Sequence, residues 1–393
     1  MITGQHTGLR SSSVVSLRDE APRMADDVSL RLADDAALIS IGGREAVFSG
    51  KRQKLFELNE TASWLARRLQ AGTSWPALRD DLADHGLHPS VAESYARDSL
   101  LMWSREGIAV ATCARMEGLE AEHQAIEIAG LRRKLCYGSH ALMERIAPVF
   151  EHLGTDGDAD APCYEILGRG NLAFVGRRGR SMLIVTPLQV APALKGLLVE
   201  EILGAPQAPV ALHTACLSSN GGMLLLAGAP GAGKSTLTVA LMSAGFGYGG
   251  DDIALVDHAG RVEGMRFAPA IKTGAWRLIS NFRADLSAAP IHHRLDGKRI
   301  RFLSPGNGSG DAVPVRWIIS LERCESASAV LVQEDPVDAL AALTRDAYSS
   351  RGAASSEDIR MLVQLVSRAK CYRLVYSELN EAVRTLAGLC ANA

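Results

Sequence analysis

The sequence predicts an α/β protein in which a small N-terminal α+β unit of winged-helix type precedes a larger α/β unit. Three observations lead to this prediction. Residues 28–58 hold short strand patterns separated by glycine turns. Three amphipathic helix patterns follow, between residues 59 and 104. Further along, an apolar strand pattern runs directly into a phosphate-binding loop pattern and then a helix, as in P-loop folds.

The composition is that of a globular protein with a large core. Of the 393 residues, 47% are hydrophobic and 22% are charged, and the net charge is −2. No overall basic excess would attract nucleic acid. The seven cysteines lack CxxC or metal-ligand spacing, which predicts reduced thiols. We find no apolar run of membrane-spanning length and no signal-peptide pattern. We therefore expect a cytoplasmic protein that binds neither a membrane nor nucleic acid.

The N-terminal part of the chain divides at about residue 27. Residues 1–27 are predicted to be a disordered tail, because they contain Ser, Thr and Arg with little periodicity. Residues 28–110 are predicted to form the α+β unit. Its predicted strands lie at 29–32, 37–41, 46–48 and 55–58. Its three predicted helices start after capping residues, which are Asn59, Thr73 and Ser90.

A short motif in this unit points to a family. The run Leu-Asn-Glu-Thr-Ala at 58–62, leading into Trp64, resembles the PqqD-like recognition elements of ribosomally made, modified peptides. The resemblance implies that the leader of a precursor peptide adds as an extra strand at 51–58 and packs on the helix at 90–104. Three cations beside that edge would suit an acidic leader: Lys51, Arg52 and Lys54. A basic edge that discourages aggregation is the alternative reading.

A winged-helix unit also raises the possibility of DNA binding. The second and third predicted helices, however, carry five carboxylates: Asp80, Asp81, Asp84, Glu93 and Asp98. Phosphate groups would repel helices with so many acidic side chains. The sequence therefore predicts no nucleic-acid partner.

Residues 111–125 are predicted to be a charged linker, and residues 126–393 the nucleotide-binding unit. Its first part carries no motif of its own and is predicted to be a leading sheet. Predicted strands there are 126–128, 132–137, 171–175 and 182–185, with helices near 139–153 and 193–203. The last part is predicted to contain strands at 299–302, 315–321, 329–332 and 371–376. Predicted helices there are 275–286, 336–348, 356–369 and 378–388.

Residues 228–235 satisfy every fixed position of the phosphate-binding loop pattern. Glycines let the backbone adopt positive φ and approach a polyphosphate, while Lys234 supplies a cation for the β- and γ-phosphates. The Ser235 hydroxyl is placed to hold Mg²⁺. The residues predicted to contact the nucleotide are Gly228, Ala229, Pro230, Gly231, Ala232, Gly233, Lys234, Ser235 and Thr236. ATP and Mg²⁺ are expected ligands, but hydrolysis, switching and phosphoryl transfer all stay open.

The acid pair Asp251 and Asp252 narrows these possibilities. It follows a glycine-rich segment at 246–250 and precedes an apolar run at 253–256, just after the predicted P-loop helix. Two adjacent carboxylates that face a nucleotide's Mg²⁺ can divide the work, one as a metal ligand and the other as a base for an incoming hydroxyl. A surface turn is the alternative reading.

The order of these motifs resembles the HPr kinase/phosphorylase superfamily and its HPr-kinase-related relatives, whose core is similar to phosphoenolpyruvate carboxykinase. The matching residues are the run His-Thr-Ala-Cys-Leu at 213–217, the loop at 228–236 and Gly-Asp-Asp at 250–252. The resemblance implies an ATP-dependent kinase. It matches His213 with the family's histidine, Asp252 with its base and Asp251 with the metal-associated neighbour, although the two acids could exchange roles.

One more segment fits this resemblance. Residues 267–272 resemble the part in which the relatives place a basic residue after a proline-containing loop, which implies that Lys272 neutralises charge on the transferred phosphoryl group. A solvated lysine is the alternative. Thr236 stands where HPr kinases usually carry an acidic residue, so neither the HPr substrate nor the phosphorylase back-reaction is implied.

We therefore expect a kinase that phosphorylates a Ser or Thr hydroxyl of a precursor peptide held by the N-terminal unit. A nucleotide-switched peptide-binding module and a kinase of a free small molecule are the alternatives. HPr-kinase relatives are often hexamers, so a homo-oligomer is also possible.

Overall fold

The computed structural model describes residues 28–113, 122–157, 160–205, 210–257, 259–306, 313–345, 347 and 354–391. The described part is a mixed α/β protein with six sheets. The tail predicted for residues 1–27 lies outside it. None of the helices in these ranges is long and apolar enough to cross a membrane.

The N-terminal unit contains two three-stranded antiparallel sheets, with strand orders β2-β3-β4 and β5-β1-β6, and three helices. Its elements are β1 (Val28–Leu32), β2 (Ala36–Ile41), β3 (Arg44–Ser49), β4 (Lys54–Glu57), α1 (Glu60–Ala71), β5 (Thr73–Ser74), α2 (Trp75–Asp84), α3 (Pro89–Arg105) and β6 (Ala109–Cys113).

One of the three predicted helix caps in this unit is confirmed. The Asn59 side chain accepts a hydrogen bond from the Ala62 backbone N–H at 2.8 Å. The cap predicted at Thr73 is wrong, because that residue pairs with β1 and Ser74 caps α2 instead. The cap predicted at Ser90 is also wrong, because α3 already begins at the preceding proline.

A five-stranded sheet follows, with the strand order β11-β10-β9-β8-β7. Its elements, with the two helices that cover one face, are β7 (His123–Ile128), β8 (Leu131–Tyr137), α4 (His140–Phe150), β9 (Cys163–Arg169), β10 (Leu172–Arg177), β11 (Leu183–Val185) and α5 (Val190–Leu203). The linker predicted for 111–125 is too long, since β6 extends to Cys113 and β7 starts at His123.

The N-terminal unit shares a hydrophobic core with this sheet. Leu100 and Trp103 of α3 belong to the same buried cluster as Phe174 of β10 and Ile184 of β11. In addition, the Ile184 backbone N–H donates to the Ser104 hydroxyl at 2.8 Å. Removing the first unit would therefore expose apolar side chains of the sheet to water.

The prediction that the cysteines are reduced thiols is wrong for two of them. Cys136 of β8 and Cys163 of β9 form a disulfide, with their Cα atoms 6.4 Å apart. They are 27 residues apart in the sequence, and the parallel pairing of the two strands brings them together. That pairing is a tertiary feature that cysteine spacing does not reveal.

The rest of the described chain is built around a six-stranded sheet of order β15-β13-β14-β21-β23-β22. Its strands and the flanking elements, up to β20, are β12 (Val210–Leu212), β13 (Ala215–Ser219), β14 (Gly222–Ala227), α6 (Lys234–Ser243), β15 (Gly247–Gly250), β16 (Ala254–Val256), β17 (Val262–Gly264), β18 (Ala270–Lys272), α7 (Trp276–Ile279), β19 (Ile291–His293) and β20 (Arg299–Phe302). The remaining elements are β21 (Val315–Arg323), β22 (Val330–Gln333), α8 (Pro336–Thr344), α9 (Ser356–Arg368), β23 (Lys370–Tyr376) and α10 (Leu379–Ala391).

Helices cover both faces of the six-stranded sheet. One hydrophobic cluster contains residues of α6 and α10, and another contains residues of α8 and α9. The helix predicted for 275–286 is wrong, because the chain there forms the single turn of α7 and then a short 3-10 helix, Ala284–Ser287. A small sheet, β18-β20-β19, completes this part.

A buried histidine in the small sheet makes stability depend on pH. His292 of β19 is 1% exposed and packs edge-on against Phe302. Burial, assisted by the charges of Arg145 and His293, lowers the pKa of His292 from 6.5 to about 4. The unfolded chain therefore binds this proton at a higher pH than the folded chain does, so folding stability falls as the pH drops from about 6.5 to 4.

We expect His292→Leu to flatten this part of the stability profile. The wild type should lose about 3 kcal/mol more than the variant between pH 7 and pH 4, because the variant has no imidazole to protonate. Urea unfolding at a series of pH values measures the difference. The His293→Leu control removes only the smallest cause of the shift and should keep most of the wild-type dependence, because the burial of His292 is unchanged. Parallel profiles for wild type and His292→Leu would contradict the prediction.

Candidate active site

Strand direction brings three separate segments to one edge of the six-stranded sheet. Strand β13 lies between β14 and β15 and is antiparallel to both, so β14 and β15 run in the same direction. The P-loop leaves the carboxyl end of β14, and the acid pair follows the carboxyl end of β15 directly. Strand β13 starts at that same edge, just after His213. The P-loop, the acid pair and the histidine therefore meet there.

The P-loop is held in the shape that an anion-binding loop needs. Gly231 and Gly233 have φ values of +94° and +96°, in the left-handed region that favours glycine. The Lys234 ammonium donates to the Gly228 carbonyl at 2.7 Å, and the Tyr376 hydroxyl of β23 donates to the Ala232 carbonyl at 3.0 Å. Helix α6 begins at Lys234, so its N-terminus faces the loop.

Asp251 is the buried member of the acid pair. It is 3% exposed and hydrogen-bonds to the Ser235 side chain and to the Ala270 backbone N–H. Burial raises the pKa of Asp251 to about 6, although the Lys195 ammonium opposes that shift. Within the described ranges its Oδ1 atom has no hydrogen-bond partner. A buried carboxylate oxygen without a hydrogen-bond partner, beside a P-loop serine, is suited to bind the cation that accompanies a nucleotide.

Asp252 is the accessible member of the pair, with 42% of its side chain exposed. The Lys195 ammonium contacts its Oδ2 at 3.0 Å, and His213 Nδ1 lies 3.5 Å from its Oδ1. The Lys195 charge holds the pKa of Asp252 below its ordinary value, with smaller contributions from His213 and Lys234. Asp252 is therefore a carboxylate at neutral pH, within reach of a molecule that enters from solvent.

Sequence reasoning missed Lys195, which comes from α5 on the preceding sheet. Its side chain is 16% exposed, and its ammonium lies 5.5 Å from the centre of the Phe267 ring. Burial disfavours its charge, but Asp252 and Asp251 together raise the pKa of Lys195 above the ordinary value. A signal was present, since Lys195 is the one charged residue in the apolar stretch 187–199. A lysine in such a stretch needs an acidic partner.

The side chains of two predicted site residues form no hydrogen bond or ion pair with the other predicted site residues in the described part of the chain. Lys272 ends β18 with an exposed side chain and, among the described residues, has neither a hydrogen bond nor an ion pair. The same strand contacts the site at another residue, because the Ala270 backbone N–H interacts with the Asp251 carboxylate. Thr236 is half-buried in the first turn of α6, and its side chain has no hydrogen bond to the described part of the chain.

The predicted basic edge of the N-terminal unit is largely neutralised within the chain. Lys51 pairs with Glu200 of α5 at 3.4 Å, and Arg52 pairs with Glu106 at 3.5 Å. Lys54 lies over the Phe56 ring. Two of the three cations therefore serve contacts inside the protein, which sequence order did not suggest. The backbone edge itself remains, because β4 is the outer strand of its sheet.

Comparison with known proteins does not assign the chain to a family. A scan against protein-family models gives no match, and neither does a search of curated proteins. The resemblances to PqqD-like and HPr-kinase-like proteins therefore rest on the motifs in the sequence. Across the described ranges, no group of three or more His, Cys, Asp or Glu side chains is arranged to hold a metal ion.

We expect Gly233→Ala to weaken nucleotide binding at least ~10-fold. The new Cβ would lie 2.7 Å from the Tyr376 hydroxyl, and alanine is strained at a φ of +96°. Isothermal titration with MgATP measures the affinity. The control is Gly388→Ala in α10, where a Cβ meets no atom within 4 Å, and it should leave the affinity unchanged. Equal affinities for the two variants would argue against the loop geometry described above.

Proposed function

We propose that the protein is an ATP-dependent kinase that transfers the γ-phosphoryl group to a Ser or Thr hydroxyl of a peptide. One observation carries this proposal. A buried aspartate contacts the P-loop serine, and its accessible neighbour is fixed by a lysine and a histidine. A nucleotide switch needs the loop and a cation ligand, but it has no need of a second, exposed carboxylate beside them.

Different residues of the chain would have different roles in the reaction. The loop amides and Lys234 bind the β- and γ-phosphates. The acceptor oxygen attacks the γ-phosphorus, the bond from that phosphorus to the β,γ-bridging oxygen breaks, and ADP leaves. Asp252 orients the hydroxyl and takes its proton. Its lowered pKa makes it a weak base before transfer, so orientation of the nucleophile is its larger contribution.

Ser235 and Asp251 are the residues that would hold Mg²⁺, because their side chains interact and both offer the oxygen ligands that this ion prefers. When bound, this ion neutralises charge on the phosphates. Lys195 and His213 hold the Asp252 carboxylate between them. Lys272 is the candidate for contacting the transferred group, and it would do so from its exposed position at the end of β18.

Recruitment of a peptide is assigned to β4. As the outer strand of its sheet, it offers backbone groups to an added strand. Leu55 is 56% exposed on this edge. We propose on these grounds, and on the motif at 58–62, that the first unit is PqqD-like and the larger part HPr-kinase-like. Binding the peptide and ATP on one chain raises the effective concentration of the acceptor hydroxyl.

Incubation with γ-labelled ATP and a peptide encoded beside the gene tests the proposal. We expect label on a Ser or Thr of the peptide. Label lost only to water would contradict the proposal and favour a nucleotide switch. Label transferred to a free small molecule, with the peptide untouched, would contradict it and favour a small-molecule kinase.

Asp252→Asn should lower the rate of transfer at least ~100-fold while MgATP affinity changes little, because the amide lacks the carboxylate that orients the hydroxyl and cannot accept its proton. Single-turnover transfer and isothermal titration measure the two quantities. Asp257→Asn is the matched control, since Asp257 pairs with Arg261 at an exposed turn. It should keep wild-type transfer. A fully active Asp252→Asn variant would remove this residue from the reaction.

Leu55→Pro should raise the peptide KM at least ~10-fold and leave the KM for ATP unchanged. The Leu58 N–H donates to Glu45 of β3, so by alternation the Leu55 N–H points away from β3, to the outer edge. Proline removes that donor without breaking the β3–β4 ladder. Leu55→Thr is the control and should behave as wild type. An unchanged peptide KM for Leu55→Pro would exclude strand addition at β4.

A further inference from the structure

A strongly basic segment follows the acid pair. Residues 264–306 contain eight Lys or Arg and two Asp or Glu, although the whole chain has a net charge of −2. The rest of the chain therefore carries an excess of negative charge. Such an asymmetry within one protein marks a surface for an anionic partner.

The exposed cations of this segment lie at one end of the β18-β20-β19 sheet. Antiparallel pairing places the end of β18, the start of β20 and the turn from β19 to β20 together. The exposed cations there, with Arg277 in the adjoining α7, form what we call the basic end: Lys272, Arg277, Arg294, Lys298 and Arg299. Asp296 pairs with Arg294 and Lys298, each at 3.4 Å.

Three cations of the basic end have no acidic partner among the residues that the structure describes. They are Lys272, Arg277 and Arg299. Arg299 lies over the Trp276 ring, with its guanidinium carbon 5.9 Å from the ring centre. Stacking of this kind fixes a guanidinium while leaving its N–H groups for a carboxylate. The surface is therefore charged and available.

Two contacts connect the basic end with the acid pair. The Ala270 N–H, two residues before Lys272, donates to the Asp251 carboxylate. On the other side, the side chain of Gln189, which immediately precedes α5, donates to the Arg294 backbone carbonyl at 3.4 Å, and α5 carries Lys195, the partner of Asp252. The basic end therefore borders the place where an acceptor hydroxyl would approach Asp252.

We propose that the basic end binds carboxylates that flank the acceptor hydroxyl, so that the preferred substrate is an acidic peptide segment. This inference rests on the proposed function, because it concerns the substrate of the same site. For Arg277 and Arg299 the nucleotide is the weaker candidate, since the P-loop and Lys234 already surround the phosphate position from α6. Nucleic acid is also disfavoured, because the remainder of the chain is net acidic.

The test compares two fluorescein-labelled peptides with a single serine, one flanked by glutamates and the other by lysines. Fluorescence anisotropy in the presence of Mg²⁺ and a non-hydrolysable ATP analogue measures binding without requiring transfer. We expect the wild type to bind the acidic peptide at least ~10-fold more tightly. The Arg277→Glu/Arg299→Glu variant should lose this preference and bind the lysine peptide more tightly. Tighter binding of the lysine peptide would also show that the variant is folded, because an unfolded chain has no such site.

The matched control is Arg360→Glu/Arg384→Glu, which makes the same change in net charge at exposed positions of α9 and α10. It should keep the wild-type preference. Equal binding of both peptides by the wild type, or an unchanged preference in Arg277→Glu/Arg299→Glu, would overturn the inference. A raised KM for ATP in that variant would assign the cations to the nucleotide and also overturn it. Equally tight binding of an oligothymidylate of the same charge would do so as well.

The two proposals fail separately in this design. If labelled ATP gives no phosphopeptide but the wild type still prefers the acidic peptide and the reversed variant does not, the kinase proposal is wrong and the acidic-segment inference stands. If transfer occurs at the same kcat/KM on both peptides, the kinase proposal stands and the inference is wrong.

Discussion

The burial of Asp251 beside Ser235 is the constraint on which the whole site depends. A buried carboxylate loses its hydration, and this loss must be offset by hydrogen bonds and opposite charge. Ser235, the Ala270 N–H and the Lys195 ammonium supply that compensation from three different parts of the chain. The antiparallel strand β13 makes the arrangement possible, because it forces β14 and β15 to end on the same edge.

In this arrangement, residues from different sheets of the fold contribute to the site. The six-stranded sheet presents the loop and the acid pair, while the five-stranded sheet contributes Lys195 through α5. The N-terminal unit shares its core with that second sheet and contacts α5 through the Lys51–Glu200 ion pair. A peptide bound at β4 would thus be held on a surface that is continuous with the helix supplying Lys195.

The features that depend on local chemistry could be predicted from the sequence. The P-loop needs a fixed pattern of glycine, lysine and serine, and the Asn59 cap needs a side chain beside a helix start, so both are readable from short stretches. Lys195, the Cys136–Cys163 disulfide and the internal pairing of Lys51 depend on contacts between distant segments. Strand register and helix packing decide those contacts. A local pattern such as the single lysine in the apolar stretch 187–199 indicates that a partner is needed but does not identify the partner. The helix predicted at 275–286 shows the limit of local prediction, since the chain there forms only the single turn of α7 and a short 3-10 helix.

The central claim is that one cation joins the acid pair to the nucleotide. A crystal structure with Mn²⁺ and a non-hydrolysable ATP analogue tests it most directly, because the anomalous signal of the metal locates it independently of the protein. The account predicts a metal bound to the Ser235 hydroxyl at about 2.1 Å, with Asp251 as a ligand directly or through one water. A metal on the phosphates that touches neither residue, with the Asp251–Ser235 hydrogen bond unchanged, would contradict it.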